Sequence, residues 1–230
     1  MAIPISSTKH RYTLWYAPKS ACTYIRAFFL HLHHNEHPTE RLEWNTLHGI
    51  PRLFPAIENP KHSFIFVRNP YARAISMYVN KYCGNYPDSW GRNNLPPNLS
   101  FIEFIDAIDQ RKDQCFHKRT LCHYEEQTKD PSILKTAKIL KCEDGVEGII
   151  GHYRKYLGFR KTDLHDSLKF AKTIPHASAY GNKRTHDAGY INFYPNKPIT
   201  HTKKSFFTKE IKRKVYQLYK QDFELLGYPQ

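Results

Sequence analysis

Two short stretches carry residue types suited to gripping a phosphate or sulfate group. The first is Pro18-Lys19-Ser20-Ala21-Cys22-Thr23. Its small residues let successive backbone N–H groups converge on one point, while Lys19 and the Thr23 hydroxyl add donors. A helix starting here adds the partial positive charge of its first turn, which makes the stretch an anion cradle. It is not a Walker A loop, since G-x-x-x-x-G-K-[ST] is absent. The plainer alternative is a strand–helix turn with an exposed lysine. The second stretch is Val67-Arg68-Asn69-Pro70, followed by Tyr71, Arg73 and Ser76. Arg68 offers a two-pronged fork to a phosphate. Ser76 stands eight residues further on, a little over two turns at ~3.6 residues per turn. The alternative is an arginine paired with a carboxylate elsewhere.

These residues need elements to hold them. Arg11 to Ala17 (RYTLWYA) predicts a strand ended by Pro18. Thr23 to His34 predicts a helix, because Ile25, Phe28, Phe29 and Leu32 recur at helical spacing. Ser63 to Val67 is almost wholly apolar, as in a parallel-sheet strand buried on both faces. Such a strand end beside a helix start is where α/β sheets hold ligands. Asn69 reads as an N-cap and Pro70 as the first residue of a helix to about Tyr82. Cys83 to Leu99, rich in Gly, Asn and Pro, predicts a loop. Ser100 and Glu103 form a capping-box pattern ahead of the amphipathic FIEFIDAI. Thr136 to Cys142 predicts a third strand, and a helix follows around Val146 to Tyr156. Ile174 to Thr202 lacks periodicity and predicts a long loop, of a kind that is often functional. Thr208 caps a last helix to about Leu226, with Gly227 where helices stop. Strands alternating with helices predict an α/β fold. The expected form is a single domain over residues 1–230, a doubly wound, mainly parallel sheet with a P-loop-like strand–turn–helix.

Composition narrows the partners. A hydrophobic share of 40% in 230 residues supports a sizeable core and argues against disorder. Lys plus Arg number 35 against 21 for Asp plus Glu, a net charge of +14. That points to an anionic partner: nucleic acid, anionic membrane, a phosphate or sulfate ligand, or an acidic polymer. No apolar run approaches the ~18–20 residues of a membrane-spanning helix, and Met1 to His10 lacks a signal-type apolar core. The expectation is no integral membrane segment. The cysteines (Cys22, Cys83, Cys115, Cys122, Cys142) are odd in number, with no C-x-x-C pair. A disulfide framework or zinc ribbon is therefore not expected, and a reducing, cytoplasmic location is. The cluster His31, His33, His34 and His37 reads as packing or solvated histidines more than as a metal site. H-E-x-x-H and close carboxylate clusters are absent, so no metal is expected. A basic nucleic-acid-binding protein, or another nucleotide-binding protein, is the competing class. Against it, the basic residues are spread along the chain and no nucleic-acid motif is present.

Taken together, the two anion stretches resemble the sulfotransferase superfamily, which uses 3′-phosphoadenosine 5′-phosphosulfate (PAPS). YAPKSACTYI (Tyr16 to Ile25) is similar to that superfamily's 5′-phosphosulfate loop. FVRNPYARAISMYVNKY (Phe66 to Tyr82) is similar to its 3′-phosphate motif, with the Arg-to-Ser spacing intact. The nearest resemblance is to the carbohydrate sulfotransferases of the chondroitin and dermatan 4-O type and their bacterial relatives. His123-Tyr124-Glu125-Glu126-Gln127, the ILKCE ending at Glu143, and the terminal YKQDFELLGY resemble further segments of those enzymes. A membrane anchor and the paired cysteines of the lumenal enzymes are not evident, so Golgi residence and a glycosaminoglycan substrate do not carry over.

The resemblance implies roles. Lys19, Ser20, Ala21, Cys22 and Thr23 surround the 5′-phosphosulfate, with Lys19 neutralising charge on the bridging oxygen. Arg68 and Ser76 hold the 3′-phosphate. Tyr24 falls where the family often stacks an aromatic on adenine, or else it packs on the sheet. Lys183 and Arg184 are the candidates for a basic segment closing over the nucleotide. Sulfuryl transfer to an alcohol is an in-line attack that needs a base, and histidine suits it near neutral pH. His48 lies twenty residues before Arg68, at a distance similar to that in 2-O-sulfotransferases; His123 sits in the H-x-x-x-Q stretch. Both stay open as the base, with a carboxylate or another histidine as the remaining alternative, alongside structural roles. The implied activity is PAPS-dependent O-sulfation of a hydroxyl-bearing acceptor, a saccharide or glycan first, with a lipid-linked glycan, a small metabolite or a tyrosyl peptide as alternatives, and with no nucleic acid and no metal involved.

Overall fold

Alternation of large apolar side chains with small or polar ones builds a four-stranded sheet. Strand β1 (Ile3–Ser7) runs antiparallel to β2 (Tyr12–Tyr16). Strand β2 is parallel to β3 (His62–Val67), and β3 to β4 (Ala137–Lys141), in the order β1-β2-β3-β4. Tyr12, Leu14 and Tyr16 of β2 and Phe64 and Phe66 of β3 share one core with Leu140 of β4. The intervening residues include the hydrogen-bonded pair Ser6 and Thr13, and Trp15, whose indole N–H donates to the Ser63 hydroxyl. The period of two therefore sorts the faces as a strand must. Helix α1 (Cys22–Leu32) lays Ile25, Phe28 and Phe29 into the same core.

The structure, a computed structural model, describes residues 2–33, 51–52, 54–83, 95–96, 98–111, 124–173, 180–183 and 199–230. It divides into two units, Met1–Arg68 with Gln127–Pro175, and Asn69–Glu126 with His176–Gln230. The first unit holds the sheet and α1. A short helix, α4 (Ser132–Thr136), leads into β4. After β4, α5 (Gly145–Leu157) adds Ile149, Ile150 and Tyr153 to the core, and α6 (Lys161–Thr173) adds Leu164. The fold is α/β, a mostly parallel sheet flanked by helices.

The second unit holds α2 (Pro70–Met77), α3 (Phe101–Arg111), α7 (Lys209–Leu218) and α8 (Lys220–Leu226). Local chemistry sets its helix starts. The Asn69 carboxamide oxygen accepts from the Tyr71 and Ala72 N–H groups, with Pro70 behind it. Glu103 accepts from the Ser100 N–H at 2.7 Å while Ser100 Oγ faces the Glu103 N–H at 3.5 Å, a complete capping box.

Three expectations need correction. The helix after Pro70 does not run regularly to Tyr82: a π-helical turn, Tyr78–Tyr82, follows α2. The Cys83 N–H bonds the Tyr78 carbonyl across that turn, and the Tyr78 and Tyr82 rings stack at 5.5 Å. The last helix is broken at Tyr219, which leaves helical geometry at φ −119° and divides α7 from α8; Gly227 at φ 63° ends the second piece. Part of the supposed loop Ile174 to Thr202 is a parallel strand pair, β5 (Tyr180–Lys183) and β6 (Ile199–His201), too short to show a period. Strand β1 and helix α6 were not expected either. Strand β1 is a five-residue strand carrying Pro4, and α6 places Leu164 in the core.

Candidate functional site

Parallel pairing brings the chemistry-bearing residues to one edge. Tyr16 ends β2 in register with Phe66 of β3, and Phe66 is in register with Leu140 of β4. The Pro18–Ala21 loop, Arg68 and Cys142 all follow these carboxyl ends, the place where open α/β sheets hold ligands.

The loop turns tightly. The Ser20 N–H donates to the Ala17 carbonyl at 3.1 Å. Lys19 at φ 69° and Ala21 at φ 55° are both in the left-handed region. Each costs about 1–2 kcal/mol for a residue with a Cβ, strain of the sort functional sites retain. Helix α1 then begins without a side-chain cap, its first intrahelical bond running from the Ile25 N–H to the Ala21 carbonyl at 3.0 Å. The N–H groups of Cys22, Thr23 and Tyr24 therefore have no intrahelical acceptor, and no acidic residue stands in the first turn. Uncapped N–H groups at a helix start are of the kind that suit an anion.

Cys22 reports the field there. Its burial acts to raise the thiol pKa. The Arg26 guanidinium and the backbone N–H and charge of Lys19 act the other way and prevail, so the pKa lies below the ordinary value. A site that favours thiolate also favours the oxygens of a phosphate or sulfate. Cys142, beyond β4, goes the opposite way: burial, then the Glu143 charge, pushes it well up, with Arg68 opposing.

Arg68 joins the two stretches. Its Nη1 donates to the Lys19 carbonyl at 3.0 Å, so the guanidinium lies against the loop. Beneath it sits Gln127, 1% exposed. The Gln127 Oε1 accepts from the Ser20 hydroxyl at 2.6 Å and the Arg68 N–H at 2.8 Å, and Nε2 donates to the Arg68 carbonyl at 2.8 Å. One amide thus braces both the loop and the strand end.

The other sequence candidates distribute as follows. Ser20 is fully buried, with its hydroxyl turned to Gln127 and its N–H used in the turn. Thr23 is half-buried in the first turn of α1. Tyr24 is half-buried and packs against the core, its hydroxyl lacking a hydrogen-bond partner and its pKa raised by burial. Ser76 lies on α2 in the second unit, buried, and its carbonyl accepts from the Asn80 side chain at 3.0 Å. Lys183 ends β5. His48, His123 and Arg184 lie outside the described residues. In the histidine cluster, His33 bonds the Tyr12 hydroxyl at 2.7 Å and His31 the Ser167 hydroxyl at 3.0 Å, while His34 and His37 lie outside the described residues. No group of three metal-ligating side chains occurs among the described residues. No helix among them is long and apolar enough to cross a membrane.

Sequence reasoning gave no role to Arg26, although it stands one helical turn after Cys22, a spacing that places the two on one face. Gln127 carried a signal in the H-x-x-x-Q stretch, but not its place under the loop.

The family model described as "Sulfotransferase family" matches residues 5–229. The chain belongs to the sulfotransferase family. No curated protein and no solved structure matches it. The chemistry of this sulfotransferase is sulfuryl transfer to a hydroxyl-bearing acceptor.

Proposed function

We propose that this sulfotransferase takes PAPS as its donor and sulfates a hydroxyl of a carbohydrate, without a metal. The observation that carries this reading is the contact between Arg68 and the Lys19 carbonyl, which sets a guanidinium fork beside an uncapped helix start. Two anion-binding elements so close suit a nucleotide bearing two anionic groups on one ribose. PAPS, when bound, supplies the activated sulfuryl group. The free N–H groups at Cys22, Thr23 and Tyr24 receive its 5′ oxygens, and Lys19 offsets the charge that grows on the bridging oxygen as the S–O bond breaks. Arg68 grips the 3′-phosphate, with Ser76 as its partner, and so separates this nucleotide from ATP. Tyr24 offers its ring to the adenine, and Lys183 and Arg184 close over the nucleotide. His48 or His123 takes the acceptor's proton. The single domain expected over residues 1–230 is part of this proposal.

The test is thermal stabilisation, because a ligand that binds only the folded state raises its melting temperature. Adenosine 3′,5′-bisphosphate is expected to shift it more than AMP or ATP at equal concentration. Equal shifts defeat the reading. With PAPS and a saccharide acceptor, Lys19→Ala is expected to lower turnover by about 10²-fold or more while changing nucleotide affinity much less, on the scale of one lost transition-state donor.

A further inference from the structure

We infer that Gln127 is a positioning residue of the donor site: its side-chain amide aims Arg68 and ties it to the anion loop, an inference that rests on the nucleotide reading above. The geometry is specific. Arg68 follows the last residue of β3, where the ladder ends and its backbone groups need new partners. The Gln127 amide meets both, taking the Arg68 N–H and donating to the Arg68 carbonyl, each at 2.8 Å. It acts as one further rung of a strand and fixes the backbone direction from which the arginine side chain leaves. The same oxygen accepts the Ser20 hydroxyl at 2.6 Å, between two residues held in left-handed geometry.

The residue type follows from the donor and acceptor count. The site asks for an acceptor serving two donors and, two bonds away, a donor serving one acceptor. A carboxamide supplies both, and an ionised carboxylate supplies only acceptors. Gln127 is 1% exposed and Ser20 0%, so water is not on hand to replace a lost partner. A substitution must then either leave buried groups unpaired or move the arginine.

The experiment compares the affinities of adenosine 3′,5′-bisphosphate and AMP for the wild type, Gln127→Met, Arg68→Ala and the double variant. Gln127→Met keeps length and removes all three bonds. It is expected to weaken the bisphosphate by about tenfold or more and AMP by distinctly less, in keeping with the cost of orphaning buried groups. Since Gln127 acts through Arg68, the double variant is expected to prefer the bisphosphate no less than Arg68→Ala alone does. An unchanged bisphosphate-to-AMP ratio in a folded Gln127→Met protein overturns the inference, and so do effects on that ratio that simply multiply. Should Gln127→Met fail to fold, Gln127→Glu retains the size and both acceptor contacts but loses the donor, and the same loss of preference is expected from it. A wild type with no preference for the bisphosphate defeats the nucleotide reading itself. In that case, amide hydrogen exchange at Arg68 decides the clamp: faster exchange in Gln127→Met upholds it, and unchanged exchange removes it.

Discussion

Arg68 and Arg73 sit five residues apart in one motif, yet the two regions use the same side chain for opposite ends. Arg68 leaves the end of β3 half-exposed, with one guanidinium contact to a backbone carbonyl and no carboxylate partner among the described residues. Arg73, on α2, is 1% exposed. Its Nη2 donates to the Glu125 carbonyl at 2.7 Å, its Nη1 is 3.9 Å from the fully buried Asp222 carboxylate, and its guanidinium lies 5.6 Å from the centre of the Tyr219 ring. A buried arginine that meets a carboxylate is spent on structure. One held at a strand end by a carbonyl keeps donors for an anion. An arginine in this motif has two readings, a phosphate fork or a carboxylate partner; Arg73 takes the carboxylate, while Arg68 has no carboxylate partner among the described residues.

The difference breaks first under substitution of Arg73. Arg73→Ala leaves Asp222 buried without its cation and the Glu125 carbonyl without its donor. The expected loss is about 3–5 kcal/mol of folding stability, the scale for removing one partner of a buried pair. Urea denaturation measures it. A loss below about 1 kcal/mol, no more than an exposed pair contributes, would place Arg73 outside the structural role. Arg68→Ala sharpens the contrast from the other side. Its folding stability is expected to stay within about 1 kcal/mol of the parent. Its affinity for adenosine 3′,5′-bisphosphate is expected to fall by roughly 10- to 100-fold, the range for a charge-assisted contact, with AMP little affected. Calorimetric titration with the two nucleotides decides it; a parallel loss for both would move Arg68 to the 5′ end of the ligand.

The sequence announced Arg68 more clearly than Arg73, for a physical reason. The features that position Arg68 are local: the apolar run of β3 and the Asn69-Pro70 helix start are contiguous, so spacing alone places the arginine at a strand end. The loop and α1 were legible in the same way, because a strand ended by Pro18 and the helical spacing of Ile25, Phe28 and Phe29 are short-range patterns. Arg73 depends on Asp222, almost 150 residues away, and Gln127 on Ser20, more than 100 residues back; no period or cap encodes such pairings. The break at Tyr219 stayed hidden because the apolar spacing of α7 and α8 runs on across it. The left-handed Lys19 and Ala21 were hidden too, since neither is the glycine that usually marks such a turn.

The smallest expected effect tests whether the field at the loop is what distinguishes this region. The Cys22 pKa is lowered in the folded chain, so thiolate forms at a lower pH there than in the unfolded chain. A group of that kind adds stability above its unfolded pKa and loses it as the pH falls through the folded value. Labelling of Cys22 by iodoacetamide, followed site by site by mass spectrometry, is therefore expected to rise with a midpoint below that of Cys22 in the denatured protein. Arg26→Ala is expected to move the midpoint back up, because the Arg26 charge is the largest influence holding it down. Adenosine 3′,5′-bisphosphate is expected to slow the labelling, since its 5′ oxygens compete for the same N–H groups and cations. Equal midpoints in the folded and denatured protein would mean that no positive field gathers at the start of α1. The loop would then be an ordinary turn, and the contrast between the two arginines would rest on Arg68 alone.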